Sequence, residues 1–203
     1  MEILYLYYNQ PKAIQNLESI GYPFTRFNFH FVDDGSQFPL VCNWAKVYRI
    51  QKDIAWNQPA ANNYGFSKLD PDAYVLRLDI DHYFNIEDLE AIDKIELKPK
   101  QIVYFRRKLN GGEIASHPNC YLARVKDLID IGGYNEEFCG NYGFDDSELR
   151  HRMKFNRFKL LFSKIYLHAV LESRTEGLKR DTKINHTKFK RIVKEMYLHS
   201  NYR

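Results

Sequence analysis

The sequence lacks the features that define several classes of protein. Glycine and proline are few, 10 and 7 of 203 residues, which excludes collagen-like and low-complexity chains. Apolar runs such as Ile3–Tyr8 are far shorter than the about 20 residues that a membrane-spanning helix needs. The three cysteines, Cys42, Cys120 and Cys139, lack metal-site spacing, and their odd number favours free thiols in a reducing compartment. The start of the sequence has no basic-then-apolar layout of a signal peptide, so we expect a cytoplasmic protein.

Net charge is also small, +4, and it is unevenly distributed. Residues 176–203 carry eight lysines and arginines against three acidic residues, so the rest of the chain is close to neutral. A nucleic-acid-binding domain usually has a basic stripe on its main body, and we therefore expect no nucleic-acid partner. We divide the chain into a main domain, 1–175, and a basic C-terminal helix, 176–203, that packs on this domain or extends it. Weak contact of the basic helix with an anionic membrane is an open possibility.

Apolar side chains make up 44% of the sequence, and short strand-like runs alternate with segments of helical periodicity. The pattern predicts strands at 2–8, 27–32, 46–50, 73–78, 101–106 and 160–168. It predicts helices at 13–20, 60–69, 85–95, 126–131, 146–155 and 187–198. Strands that alternate with helices indicate an α/β sheet covered on both faces.

Acidic side chains follow two of the predicted strands. Asp33 and Asp34 end one strand, and Asp79 and Asp81 end another. Ligands of open α/β sheets bind at the carboxyl ends of the strands, so these residues are expected to face one crevice. Residues two apart on an extended segment point the same way, and two carboxylates suit Mg²⁺ or Mn²⁺. Ordinary solvated turns would show the same residues, because Asp is common where strands end.

A third acidic group lies in Tyr142–Leu149, after the glycine-rich segment Gly132–Phe138. Acidic residues are favoured in the first turn of a helix by its dipole, which alone could account for Asp145 and Asp146. The dipole does not account for the glycines and aromatic residues that precede them. His168, at the end of an apolar strand, is compatible with either a structural role or a ligand role.

Four of these segments, in this order, resemble the signatures of GT-A-fold glycosyltransferases of the family-two type. They are Tyr8–Pro11, Val32–Ser36, Leu78–Asp81 and Gly132–Glu136. The later half, with Tyr142–Leu149, resembles the β-1,4-galactosyltransferase and chondroitin-polymerase group.

The resemblance covers about residues 1–190 and continues to His168 and Asn185. It implies a single-domain GT-A fold, a Rossmann-like mixed sheet flanked by helices. It also implies a metal-dependent, inverting glycosyltransferase, for example in polysaccharide biosynthesis. Such an enzyme moves a sugar from a UDP-sugar to a hydroxyl of a glycan or small-molecule acceptor.

The resemblance also implies roles for the residues of a donor and metal site. Asp81 would bind Mn²⁺ or Mg²⁺, with His168 as a second metal ligand from the protein. Asp79 would contact the ribose or the sugar. Asp34 would contact the uracil, and Tyr8 would line the pocket for the base.

On the acceptor side, Asp146 would be the catalytic base and Asp145 would help to hold the acceptor. The sequence departs from the group at three positions here. Asp145 replaces a glutamate, Tyr142 replaces a tryptophan, and Phe144 replaces a glycine. The shorter side chain at position 145 leaves open which carboxylate is the base.

Two other functions stay open at this point. A nucleotidyltransferase on a related fold would have a basic, glycine-rich phosphate loop near the start, and Tyr5–Lys12 is not one. A non-catalytic sugar-binding or nucleotide-binding module would be expected to lose the acidic groups, and all are present.

Overall fold

The structure, a computed structural model, describes residues 1–170 and 179–200, with the side chains of 198–200 left aside. The described strands are β1 Glu2–Tyr7, β2 Asn28–Asp34, β3 Lys46–Ile50, β4 Tyr74–Asp79, β5 His82–Tyr83, β6 Gln101–Leu109, β7 Gly112–Ile114, β8 Tyr121–Arg124 and β9 Lys159–Ala169. The α-helices are α1 Pro11–Ser19, α2 Gln58–Phe66, α3 Ile86–Asp93, α4 Val125–Asp130, α5 Asp145–Phe155 and α6 Lys183–Ser200. A short 3₁₀ helix covers Glu136–Phe138.

All nine strands belong to one mixed sheet, with the order β3-β2-β1-β4-β8-β6-β9-β5 and β7 paired to β6. The first four strands in this order are parallel. Strand β8 is antiparallel to β4 and β6, and β9 runs parallel to β6. The parallel half therefore places the carboxyl ends of β1, β2 and β4 at one edge.

Apolar side chains form a core on each face of the sheet. One core packs the sheet against α1 and α3, for example through Leu17 and Leu89. The other packs it against α2, α4 and α5, through residues such as Phe66, Leu128 and Met153. A parallel sheet is stable only when both faces are covered, and the predicted α/β class is confirmed.

Helix α6 contacts α5. Ile192 on α6 is buried, and the ring of Phe189 lies 5.3 Å from those of Phe144 and His151. The boundary that the sequence suggests at 175/176 lies outside the described residues. Among those residues, no helix is long and apolar enough to cross a membrane, and the three cysteines are free thiols.

Candidate active site

A cleft of about 490 Å³ opens at the carboxyl ends of β1, β2 and β4. Six of the seven predicted site residues line it: Tyr8, Asp34, Asp79, Asp81, Asp145 and Asp146. The structure thus brings together residues from four separate segments of the chain, while the seventh, His168, is not in the lining.

The two aspartates that end β2 have different surroundings. Asp33 is fully buried, and its carboxylate accepts the backbone N–H of Ser36 at 3.0 Å and the guanidinium of Arg49. Gly35, which lies directly before Ser36 in this turn, has a φ of +72°, and a Cβ there would lie 2.8 Å from the Cα of Asp53. Asp33 therefore holds the turn and does not line the cleft, so the expectation that it faces the crevice is wrong, while Asp34 does line it.

Asp34 accepts a hydrogen bond from the side-chain amide of Asn57 at 2.8 Å. Burial raises the pKa of Asp34 to about 6, aided by the nearby charge of Asp53 and opposed by the Asn57 bond. Tyr8 donates its hydroxyl to Asp53 at 3.2 Å on the same side of the cleft. A buried carboxylate beside an amide and a phenol can hydrogen-bond the N–H and carbonyl groups of a nucleobase.

Asp79, at the end of β4, is paired with Arg77, which is fully buried. Arg77 also donates to the Asn62 side chain and to the Asn119 carbonyl, each at 2.9 Å, so its position is set from three directions. Nδ1 of His117 lies 3.2 Å from the other carboxylate oxygen. Burial alone would raise the pKa of Asp79, but the neighbouring positive charges, chiefly Arg77, outweigh it and hold that pKa well below its usual range. Asp79 is therefore ionised at neutral pH.

Asp81 is held by the histidine that follows it. Nδ1 of His82 lies 2.6 Å from the Asp81 carboxylate, and Nε2 lies 3.3 Å from Nη1 of Arg107. Arginine is always a donor, so Nε2 accepts from Arg107, and Nδ1 carries the proton that faces Asp81. This arrangement orients the carboxylate as partners of metal ligands commonly do.

Among the described residues there are two groups of potential metal ligands, and within each group the ligand atoms all lie within 4.8 Å of one another. They are Asp79, Asp81 and His82, and Asp79, His117 and Cys120. Burial raises the pKa of the Cys120 thiol well above its usual range, which disfavours the thiolate that metals bind. The two carboxylates of the first group suit Mg²⁺ or Mn²⁺, so these residues fit a divalent cation.

His168 lies on β9, opposite Tyr83 on β5, and the two rings stack with centroids 5.2 Å apart. Two residues on, the N–H of Val170 donates to the carbonyl of Asp81 at 2.9 Å, so the end of β9 adjoins the metal-binding candidate. His168 belongs to neither group of ligand atoms. Its role as a metal ligand stays a prediction.

The second pair of carboxylates begins α5. Phe144, just before the helix, has a φ of +69°, a left-handed conformation that glycine adopts more easily. This conformation gives a physical reason for the glycine that the resembling group has there. The Phe144 ring compensates by stacking on His186 of α6 at 4.8 Å.

Asp145 and Asp146 are adjacent in the chain but differ in environment. Asp145 is about nine-tenths buried, and its Oδ2 has no hydrogen-bond partner among the described residues. Burial, together with the charge of Asp146, raises the pKa of Asp145 to about 7. Asp146 is less buried, and its Oδ1 accepts the hydroxyl of Ser147 at 3.1 Å. One carboxyl is thus poised to carry a proton beside another that is more open to the cleft.

The glycine pair in Gly132–Phe138 allows a close approach between two elements. Gly133 has a φ of +62°, and a Cβ there would lie only 2.1 Å from the Asn63 side chain. Asn63 accepts the N–H of Tyr134 at 2.7 Å and donates back to its carbonyl at 2.9 Å. The segment before the acidic pair is therefore fixed to α2.

Asn185 of α6 fixes the next part of the same connection. Its side chain is fully buried, and its amide nitrogen lies within hydrogen-bond distance of three carbonyls, those of Phe138, Asn141 and Gly143. The basic C-terminal helix thus supports the loop that leads into Asp145.

Sequence reasoning missed several residues of the cleft, including Trp56, Asn57, Arg77, His117 and Arg180. His82, which holds Asp81 from outside the cleft lining, was also missed, although its place directly after the acidic motif was a local signal. Arg77 lies in a predicted strand, but nothing in the pattern marked it as a site residue. The other four lie in segments without a recognisable pattern, and the fold alone brings them to the cleft.

Comparison with known proteins gives a match at the level of structure. No family model and no curated protein sequence matches the chain. The solved structure of GalNAc-T7 with UDP, GalNAc and Mn²⁺ superposes with a TM-score of 0.66 and 11% identity, covering 90% of this chain and 45% of that one. The chain has a GT-A-like glycosyltransferase fold.

A second structure, the apo form of the glycosyltransferase GlyE from Streptococcus pneumoniae TIGR4, gives a TM-score of 0.52 and 10% identity. It covers 98% of this chain and 63% of that one. The chain therefore spans less than half of the first neighbour and less than two thirds of the second. At these identities the likeness establishes the fold, and the subgroup that the sequence resembles stays a prediction.

Proposed function

We propose that the protein is a metal-dependent, inverting glycosyltransferase that uses a UDP-sugar. It transfers the sugar to a hydroxyl of a glycan or small-molecule acceptor. The observation that carries the proposal is the single cleft in which strand-end carboxylates and the acidic start of α5 meet. A neighbour of the same fold was solved with UDP and Mn²⁺, which supports the choice of donor and cofactor.

The donor half of the proposal rests on the ends of β1, β2 and β4. Asp34 hydrogen-bonds the uracil, Tyr8 lines the base pocket, and Asp79 contacts the ribose or sugar. Asp81 binds the metal, and His82 orients its carboxylate. His168 lies outside both ligand groups, so the proposal does not depend on it.

A divalent cation at Asp79 and Asp81 would supply positive charge against the diphosphate that departs with its electron pair. Asp79 is ready to contribute, because Arg77 keeps it ionised. Ionised Asp79 alone would repel a diphosphate, so nucleotide and metal should bind together.

The acceptor half rests on the start of α5. An acceptor hydroxyl is a weak nucleophile until a carboxylate takes its proton in the transition state. Asp146 is the proposed base, because it lines the cleft and is more open than its neighbour. Asp145, with a pKa of about 7, can donate or accept a hydrogen bond and so hold the acceptor.

The alternatives predict different ligand behaviour. A non-catalytic module would bind the nucleotide without turnover. A nucleotidyltransferase would need cations around the phosphates of a nucleoside triphosphate, and acidic residues predominate in this cleft.

Thermal shift with UDP, Mn²⁺ and both together is the direct test of the proposed donor and cofactor. A ligand that binds only the folded state at 100 times its Kd adds about 2.7 kcal/mol, so a clear rise in Tm is expected with both present. Mn²⁺ or UDP alone should give a smaller rise. Equal Tm values without ligand and under these three conditions would contradict the proposal.

A further inference from the structure

An arginine in the lining of the cleft makes cation–π contacts with two aromatic rings. The guanidinium carbon of Arg180 is 5.2 Å from the ring centroid of Trp56 and 5.1 Å from that of Tyr142. Its Nη1 also donates to the Tyr142 hydroxyl at 3.2 Å. Trp56 precedes α2 and Tyr142 precedes α5, so Arg180 connects two loops that border the cleft.

Among the described residues, the Tyr142 hydroxyl accepts one hydrogen bond from this guanidinium, and no other acceptor is paired with it. Cation–π attraction acts on the positive charge and does not consume N–H donors, so the remaining donors stay available. Arg180 is exposed, and no carboxylate within the described residues forms an ion pair with it. A planar fork of donors, held in place by two rings, matches the geometry of a phosphate.

A positively charged side chain would help an anion to bind in this cleft beside the proposed metal, because the lining is mostly acidic. The lining includes five carboxylates: Asp34, Asp79, Asp81, Asp145 and Asp146. Of the two arginines in the described lining, Arg77 is already paired with Asp79. Arg180 is therefore the guanidinium left to balance an incoming negative charge.

The aromatic support is held in a definite position. Trp56 has a φ of +52°, which is rare for a bulky side chain, and its indole N–H donates to the Lys179 carbonyl at 2.8 Å. Strained backbone of this kind is concentrated at ligand-binding sites. Trp56 is followed by Asn57, the hydrogen-bond partner of Asp34. The Trp56 ring therefore adjoins the proposed pocket for the uracil.

We propose that Arg180 binds the diphosphate of the donor nucleotide, an inference that rests on the proposed function. Because Arg180 contacts Trp56, its guanidinium lies beside the proposed uracil pocket at Asp34. The phosphates of the nucleotide would follow the nucleoside out of this pocket. An anionic sugar of the acceptor would offer similar chemistry, and the test separates the two sources.

The test compares the affinities of UDP, UMP, uridine and glucuronate by calorimetry at fixed Mn²⁺. The proteins are the wild type, Arg180→Gln, Arg180→Lys and, as a charge-matched control on an exposed position of α6, Lys190→Gln. Loss of a charged hydrogen bond corresponds to a loss of about tenfold or more in affinity. We expect Arg180→Gln to weaken UDP by at least about tenfold, UMP less, and uridine not at all. Arg180→Lys should be intermediate, because lysine keeps the charge and loses the fork.

Three results would overturn the inference while leaving the proposed function in place. They are UDP affinity unchanged in Arg180→Gln, an equal loss for uridine, which would mean disturbed aromatic packing, and a loss confined to glucuronate. If the wild type binds no UDP at all, the proposed function itself fails. Equal Tm values for Arg180→Gln and Lys190→Gln would show that both variants are folded.

Discussion

Neighbouring carboxylates in this protein have different tasks because their surroundings differ. Asp33 is saturated with hydrogen bonds and holds a turn, whereas Asp34 faces the cleft. Asp145 is buried with an unpartnered oxygen, whereas Asp146 is more open. The members of each pair are the same residue type, and their different burial and hydrogen bonding follow from the fold.

Asp145 should make stability depend on pH. Its pKa is raised from 3.8 to about 7, so the folded state holds a proton that the unfolded state has lost. The contribution of the protonated Asp145 to the free energy of unfolding is fully present below about pH 4 and is lost as the pH rises to about 7. Asp145→Asn removes the buried charge, so its Tm should exceed that of the wild type at pH 8. The gain should be a few degrees, since about 1 kcal/mol shifts Tm by about 2–4 °C at this size.

The check is a pair of melting curves at pH 5 and pH 8 for both proteins. The difference in Tm should be smaller at pH 5. A difference independent of pH would show that Asp145 does not titrate in this range.

Asp81→Ala should abolish the dependence of UDP binding on Mn²⁺, because one of two carboxylates at the proposed metal site is lost. The fold should survive, since the Asp81 side chain is nearly half exposed. Calorimetric titration with UDP, with and without Mn²⁺, gives the result directly. The control is Asp72→Ala, which removes an exposed aspartate away from the cleft. Unchanged Mn²⁺-dependent binding in Asp81→Ala would remove this residue from the metal site.

At the scale of elements, α6 is a support for the acidic loop as well as a basic surface helix. The Asn185 amide serves three carbonyls of the connection between the 3₁₀ helix and α5. Replacing it with aspartate keeps the shape and turns the donor into a charged acceptor. Leaving a buried polar group unpaired costs about 1–3 kcal/mol.

We therefore expect Asn185→Asp to lower the free energy of unfolding by at least about that amount, measured by urea denaturation. Thr187→Ala, at an exposed position of the same helix, should change it by less than about 0.5 kcal/mol. Equal stability of the two variants would mean that α6 does not hold the loop.

The main elements could be predicted from the sequence where the pattern was long or strongly apolar. Strands β1, β2 and β4 follow from continuous apolar runs, as expected for strands buried on both faces. Strands β5, β7 and β8 were missed, because two to four residues are too few to show a period. Helix α6 begins at Lys183, four residues before the predicted start, because its first turn carries no apolar stripe: Ile184 is exposed and the buried Asn185 is polar.

At the scale of the whole molecule, the cleft is a product of sheet topology. Parallel strands place Asp34, Asp79 and Asp81 at one edge, as the spacing of acidic residues after strands predicted. Arg180 and Trp56 could not be foreseen, because residues 124 positions apart meet only through the docking of the segment before α6. A local motif carries no information on such long-range contacts.

The central claim is that this cleft transfers a sugar, and turnover tests it most directly. UDP release is measured with Mn²⁺ over a panel of UDP-sugars, with and without sugar acceptors, for the wild type and for Asp146→Asn. We expect acceptor-stimulated release from at least one donor. In Asp146→Asn we expect a rate lower by a factor of about 10² to 10⁴, with UDP affinity unchanged, because loss of a general base slows a reaction by about that factor. A wild type that binds UDP but releases none from any donor, or an Asp146→Asn variant with full turnover, would contradict it.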